Sequence, residues 1–375
     1  MDKLWHKRAA ITKLFVITPA LALLVVGART LAQPRYSVTD LSNVSGLSLS
    51  PSAINNLGQL SGSALFPGYS RAHAFFYNGS QVTDLGTLGG PYSGAANLND
   101  SGQLVGDSYI NTTDNTSHGF MYSGGTMRDL GTFGGAWSAA SGINQNGQIV
   151  GSAATPTGSH AFLYSQGQMT DLGTLGGPYS GAYAINNRGQ IVGNASTTGN
   201  TASYAFLYSD GTMHSLGSFG IGSFAMDIND NGQIVGACTL SGSIAHAFYY
   251  SDGVMRDIGG SPDEYSRAMA INNRGQAVGF SNKGAENHSF IYSDGIKYDL
   301  ESLLAPGSTG WTFQFVYDIN DSGQIVGLGI NPQTHRQVGV LLTLVPEPSA
   351  GSFFVLALIC LLLRDKPRSI RAPRA

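Results

Sequence analysis

The sequence predicts an all-β fold, a seven-bladed β-propeller of four-stranded blades closed by its N-terminal strand, and three observations carry that prediction. One short phrase recurs seven times at a nearly fixed period. Each period contains four strand-like segments separated by turn signals. The strands left over at the two ends of the array complement each other. The alternative is a β-solenoid-like repeat array, whose units stack without closing and which needs polar caps at its ends.

The phrase is clearest as Ile228-Asn229-Asp230-Asn231-Gly232-Gln233-Ile234-Val235-Gly236, and copies begin at Ile54, Leu98, Ile143, Ile185, Ile271 and Ile319. Successive starts lie 44, 45, 42, 43, 43 and 48 residues apart. A fixed period in this range indicates units that bury their apolar faces on their neighbours. Strand one ends on Ile-Asn. A turn of the Asn-x-Gly or Asp-x-Gly type follows, in which Gly supplies a positive φ and Asn or Asp bonds its own backbone. Strand two is Gln-Ile-Val-Gly and onward. After a variable loop, strand three is the phrase His73-Ala74-Phe75-Phe76-Tyr77, repeated at His118, His160, Tyr204, His246 and His288, with a worn copy at His335. A second turn leads to strand four, ending on Asp84-Leu85-Gly86 and its copies at Asp129 and Asp171, and decaying at Ser215, Asp257 and Asp299. Four strands in about 43 residues, repeated seven times, is propeller arithmetic. Residues 35–41 read as an orphan fourth strand, and the last unit stops after its third near Leu342. The first can therefore complete the last blade and remove an open edge.

Composition agrees. The 375 residues include 51 Gly, and 11% are charged, a β-and-turn balance rather than a helical one. Disorder is excluded by 42% hydrophobic and 10% aromatic content. Half of the 20 basic residues lie in the two ends, so the segment 33–348 carries 10 basic and 21 acidic side chains, about −11. That sign repels phosphate backbones and excludes nucleic acid as a partner. Of the two cysteines, Cys360 lies in the C-terminal apolar run, which leaves Cys238 alone in the body as a small buried residue with no intrachain disulfide.

The ends read as addresses. Residues 1–32 combine a basic start (Lys3, Lys7, Arg8, Lys13), an apolar stretch at 14–26 and a small residue at Ala32, the pattern of a signal peptide; the rival reading is an uncleaved anchor. Residues 345–375 carry Pro346-Glu347-Pro348, an apolar run at 350–363 and an Arg-rich tail. Fourteen helical residues span about 21 Å, short of a bilayer core of about 30 Å, so the run makes a weak anchor. The basic tail would stay cytoplasmic and leave the repeats outside. This order resembles the PEP-CTERM sorting signal of bacteria. The resemblance implies export, transient anchoring in the inner membrane by a short transmembrane helix, and cutting near Pro346-Glu347-Pro348 by an exosortase-type protease, with the cell surface or extracellular matrix as destination. The body, residues 33–344, resembles the HAF-type extracellular repeat family, named for the His-Ala-Phe at 73–75, 160–162 and 246–248. That resemblance implies an exported bacterial repeat protein and supplies no catalytic residues.

The periodic histidines invite a metal ring, yet one imidazole per blade is what a structural role predicts, and equivalent positions on seven blades lie too far apart to share an ion. Asp227-Asn229-Asn231-Gly232 and Asp318-Asn320-Ser322-Gly323 imitate calcium loops but lack a late acidic ligand, so they read as turn chemistry. Asp263-Glu264, in an irregular stretch, reads as a solvated loop. No nucleophile elbow, zinc-protease motif or P-loop is present, so no catalytic residue, cofactor or metal is expected and the chain reads as a non-enzyme. The remaining signal is aromatic. Tyr92, Trp137, Tyr179, Tyr265 and Phe313 each stand six residues before the Ile/Leu-Asn pair, with Trp311 nearby. Variable polar loops at 108–117, 153–159, 195–203 and 329–334 share that face. Aromatic rings there suit stacking on sugars; the competing reading is packing between blades. The expected function is an exported, surface-associated binding or matrix protein engaging extracellular polysaccharide or a protein partner. The alternatives are a purely structural surface protein and an exported glycan-active hydrolase or lyase.

Overall fold

The structure, a computed structural model, describes residues 34–113, 116–242, 244–283 and 286–346. The signal segment 1–32, Glu347 and Pro348 of the sorting motif, and the apolar run 350–363 lie outside the described residues; Pro346 lies within them and is exposed. Among the described residues no helix is long and apolar enough to cross a membrane.

The protein is all-β, built from four-stranded antiparallel sheets of β-propeller-like type. The Ile54 repeat shows the pattern, with strand one Leu49–Ile54, strand two Leu60–Ala64, strand three His73–Tyr77 and strand four Val82–Asp84, paired in that order. The repeats of Leu98, Ile228 and Ile271 form sheets of the same kind, and those of Ile143 and Ile185 are joined into one by a single parallel pairing, Ser159 with Tyr179. In the Ile319 repeat, strands Thr312–Ile319, Ile325–Ile330 and Gln337–Leu344 receive their fourth from the N-terminus: Tyr36–Asp40 pairs antiparallel with Gln337–Leu344, Tyr36 opposite Leu344 and Asp40 opposite Val340.

The recurring residues are explained by what each one bonds. In the Asn229 turn, the side-chain Oδ1 accepts from the Asn231 and Gln233 amides at 3.0 Å, and Gly232 takes the positive φ of 79° that closes the turn. The same side chain's Nδ2 donates to Gln233 Oε1 and, across to the next repeat, to the Asn272 carbonyl at 2.9 Å. One side chain thus folds its own turn and ties two repeats, which is why Asn, Gly and Gln recur together. The inter-repeat bond runs Asn55 to Asn99, Asn99 to Asn144, Asn144 to Asn186, Asn186 to Asn229, Asn229 to Asn272, Asn272 to Asn320, and Asn320 to Asn55. A second set runs beside it: each following backbone N–H, from Asn56 through Asp321, donates to the side-chain oxygen one repeat on.

Strand one of every repeat carries a bulge two residues before its Ile or Leu, for example between Ala225 and Asp227. Opposite it stands the Gly of Ile-Val-Gly. A Cβ on Gly236 would run into the Phe224 carbonyl oxygen and crowd the Phe248 ring. Gly236→Ala is therefore expected to lower unfolding free energy by about 1–3 kcal/mol, measured by urea titration. The core repeats as well: Phe75, Phe120, Phe162, Phe206, Phe248 and Phe290, all from the His-Ala-Phe phrase, are buried together with the Ile and Val of strand two. Cys238 is buried and free, with Met255 sulfur 3.3 Å away.

The worn His335 copy is corrected. His335 stands in the loop before Gln337–Leu344 with a φ of 56°, and the register of Gly327 on Val340 puts Val338 in the histidine slot.

Candidate functional site: the loop face and the shared cavity

The aromatic residues divide into two groups. Trp137 is 38% exposed, just before strand Ser138–Ile143, and Tyr179 is 49% exposed, in the outer half of strand Gly176–Ile185. In the Ile228 repeat the connection into strand one presents Phe219 (39%) and Ile221 (63%). Three successive repeats therefore show apolar rings or branched chains to solvent at or before the start of strand one. The Trp137 carbonyl accepts from the Ala154 amide and the Ile221 amide donates to the Thr239 carbonyl, so each connection is laid against the end of strand two. Tyr179 pairs with Ser159 of the preceding repeat, which brings the variable 153–159 loop against it. Phe219 and Ile221 lay outside the sequence reading because their repeat has Gly222 at the six-residue position; the run Phe-Gly-Ile-Gly was the available signal.

The other members pack. Tyr92 lies against Tyr109 with ring centroids 5.1 Å apart. Tyr265 stacks on Phe280 at 6.1 Å, and its hydroxyl accepts from Arg267 Nη2 at 2.9 Å. Trp311 is 8% exposed and Phe313 fully buried, both in the core with Tyr36, Leu303 and Val316. The expectation of a sugar-facing role for Trp311 and Phe313 is corrected: their faces are covered by side chains. The last period is the longest, and its extra residues form the turns Glu301–Leu303 and Pro306–Ser308.

A cavity of about 490 Å³ is lined by strand-one residues of all seven repeats. The bulged residues, including Tyr183, Met226, Met269 and Tyr317, line it with the paired Asp227 and Asp318. Asp227 Oδ1 accepts from its neighbour Ile228 and Oδ2 from Ile271 of the next repeat, both at 2.8 Å. Asp318 does the same with Ile319 and Ile54. Neither carboxylate belongs to the adjacent turn, so the turn reading holds for Asn229 and Asn320 and is corrected for the two aspartates, which tie adjacent repeats. Burial pushes Asp227 up to about 6 against the pull of its two backbone amides. Burial likewise pushes Asp318 up to about 7, with the Asp227 charge adding to the rise.

Four of the histidines make one and the same contact within their sheets. Their Nδ1 atoms meet the aspartate closing strand four of the same sheet: His73–Asp84 at 3.0 Å, His118–Asp129 at 2.8 Å, His160–Asp171 at 2.7 Å and His246–Asp257 at 2.8 Å. A carboxylate only accepts, so Nδ1–H donates. In the Ile185 repeat both members are lost: where Tyr204 replaces His, Ser215 replaces Asp. Asp40, opposite Val340, turns instead to Asn331 Nδ2 at 2.8 Å and to Ser42. The Ile271 repeat differs, with His288 and Asp299 3.7 Å apart and Glu301 where the four paired repeats have Gly. Burial, then the neighbouring Asp299, holds the Glu301 carboxyl well above the usual carboxylate range. In the irregular 259–267 stretch Asp263 is exposed and Glu264 is engaged by Lys297 at 3.3 Å.

No protein-family model and no curated protein sequence matches the chain. Among solved structures it is similar to an acylaminoacyl peptidase from Pyrococcus horikoshii, with a TM-score of 0.51 at 11% identity over 83% of this chain and 54% of that one. It is also similar to TolB from Acinetobacter baumannii, with a TM-score of 0.43 at 14% identity over 63% of this chain and 61% of that one. The chain spans less than two thirds of either protein's length. The likeness to the peptidase speaks for fold alone.

Proposed function

We propose that this chain is an exported, surface-associated, non-catalytic binding protein: a closed seven-bladed β-propeller that engages extracellular polysaccharide through its loop face. The closed reading is supported by the two circuits of side-chain bonds, which return from Asn320 to Asn55 and from Asp321 to Asn56. It is supported also by the N-terminal strand seated on the last repeat. Export, and transient tethering before exosortase-type processing, rest on the end segments of the sequence. The observation that carries the binding reading is the exposure of Trp137, Tyr179 and Phe219 at or before the start of strand one in successive repeats. An exposed ring costs solvation unless it meets a partner, and a row of them suits the apolar faces of successive sugar units. The two cavity carboxylates have both oxygens committed to backbone amides, which favours a structural role over acid–base work on a glycan.

Trp137 makes the test direct, since Trp311 is buried and serves as an internal control. Titration with the host's extracellular polysaccharide is expected to change tryptophan emission saturably. Trp137→Ala should abolish the change, and Trp137→Ala and Tyr179→Ala should each weaken affinity about tenfold by pull-down, equivalent to about 1.4 kcal/mol of lost stacking. Affinity unaltered by both substitutions would leave the purely structural reading, which the buried Trp311 and Phe313 favour.

A further inference from the structure

The Ile271 repeat breaks the histidine–aspartate rule in three ways at once. Its pair is opened to 3.7 Å, where the four sibling pairs lie at 2.7 to 3.0 Å. A carboxylate, Glu301, stands where the four sibling pairs have Gly86, Gly131, Gly173 and Gly259, two residues after the aspartate. That carboxylate is fixed from behind, its Oε1 accepting from the Phe313 amide at 2.7 Å, while Oε2 is fully buried and has no hydrogen-bond partner among the described residues. Ligand atoms of His288, Asp299 and Glu301 all lie within 4.8 Å of one another.

Two carboxylates and an imidazole held this close are relieved by a proton kept on Glu301 or by a cation that displaces it. An ion with ligand bonds of about 2.1 Å in tetrahedral geometry holds its ligands about 3.4 Å apart. The sibling pairs are too close for that and are satisfied by a proton; the opened His288–Asp299 pair already has the spacing. An imidazole in the set selects against calcium and magnesium and favours a first-row transition ion. His288 and Asp299 are each 47% exposed on their side chains, so an ion can enter from solvent. All three ligands come from one repeat, which removes the distance objection that applies to a ring of histidines.

We propose that His288, Asp299 and Glu301 form a divalent transition-metal site of the zinc type, with three protein ligands and a fourth position open to solvent. The site is independent of the aromatic face and stands whether or not that face binds glycan. Glu301→Gly, which installs the residue of the four sibling pairs, tests it, with Glu301→Gln beside it as the variant that keeps an oxygen for the Phe313 amide. Isothermal titration of the full chain with Zn²⁺ is expected to show one site that calcium does not fill. Glu301→Gly and His288→Ala should each weaken it at least tenfold, whereas His118→Ala, in a sibling pair, should leave it unchanged. Co²⁺ should give visible absorption of low-coordinate nitrogen and oxygen ligation in wild type and not in Glu301→Gly. A saturating metal should raise the melting midpoint of wild type only. Should wild type lack a one-equivalent site, or should Glu301→Gly bind as tightly as wild type while melting at the same metal-free temperature, the assignment is overturned.

Discussion

Acidification from pH 8 to pH 5 is expected to stabilise the fold, by about 2–4 kcal/mol from Asp227 and Asp318 together. Both folded-state values lie above the ordinary carboxylate value of 3.8, at about 6 and about 7. The folded state therefore holds protons that the unfolded chain releases, and stability falls as pH rises from about 4 through 7. Full conversion of the two shifts approaches the upper figure; partial contact with the cavity lowers it. Glu301, also raised, acts in the same direction, whereas Asp40 and Glu264, whose values are lowered, lose their contribution only in stronger acid. The decisive quantity is thus the difference between wild type and the Asp227→Asn/Asp318→Asn double variant. Asparagine is a fair mimic of the protonated acid, since Asn97 holds the equivalent position and its Oδ1 accepts from the Leu98 amide at 2.7 Å. Urea unfolding at pH 5, 6, 7 and 8 should give a midpoint that drops with pH in wild type and a flatter profile in the variant. Parallel profiles would mean that the two carboxylates are already ionised at pH 5, and the argument would fail.

The same two aspartates mark where the sequence stops being readable. Strand positions, turns and the pairing partner of residues 35–41 follow from periodicity, because alternation and turn chemistry are local. Which way a side chain points from strand one does not. A bulge inserts one residue and reverses the faces beyond it, so Met226 and Asp227 both line the cavity, where strict alternation would send one of them away. The aromatic signal suffered from a related blindness. Six-residue spacing located these positions, but exposure depends on what packs on them: Trp311 shares a buried cluster with Leu303 and Leu304, while Trp137 is 38% exposed. The structural role of the periodic histidines was legible, and their aspartate partner left a partial trace. Tyr204 and Ser215 depart together in one repeat, and a joint loss is the mark of two side chains that need each other. Glu301 too stands in plain view as the residue that breaks Asp-Leu-Gly, although its meaning depends on the geometry of His288.

Deleting residues 34–41 is expected to cost more than any substitution above, at least about 5 kcal/mol, which is comparable to the whole stability of many domains. Tyr36 is fully buried in the last repeat's core beside Leu304 and Leu342, and loss of such a ring alone costs about 3–5 kcal/mol. The strand also supplies the outer ladder on Gln337–Leu344, accepts the Ala305 amide at Tyr36 O, and through Asp40 holds Asn331. Leu41, one residue on, belongs to the core of the first repeat, so the segment ties the two ends of the array together. Without it the edge of Gln337–Leu344 is unpaired and free to recruit another chain. The truncated protein should therefore melt well below wild type and elute partly as oligomers in size exclusion. A synthetic peptide of residues 34–42 added in trans should restore both the midpoint and the monomer peak, because an exposed edge accepts a donated strand. In an open solenoid the same deletion would strip one end unit and leave the other repeats folded, with only a local loss of hydrogen-exchange protection. Global loss with rescue by the peptide is the outcome that closure requires, and an unchanged midpoint would rule closure out.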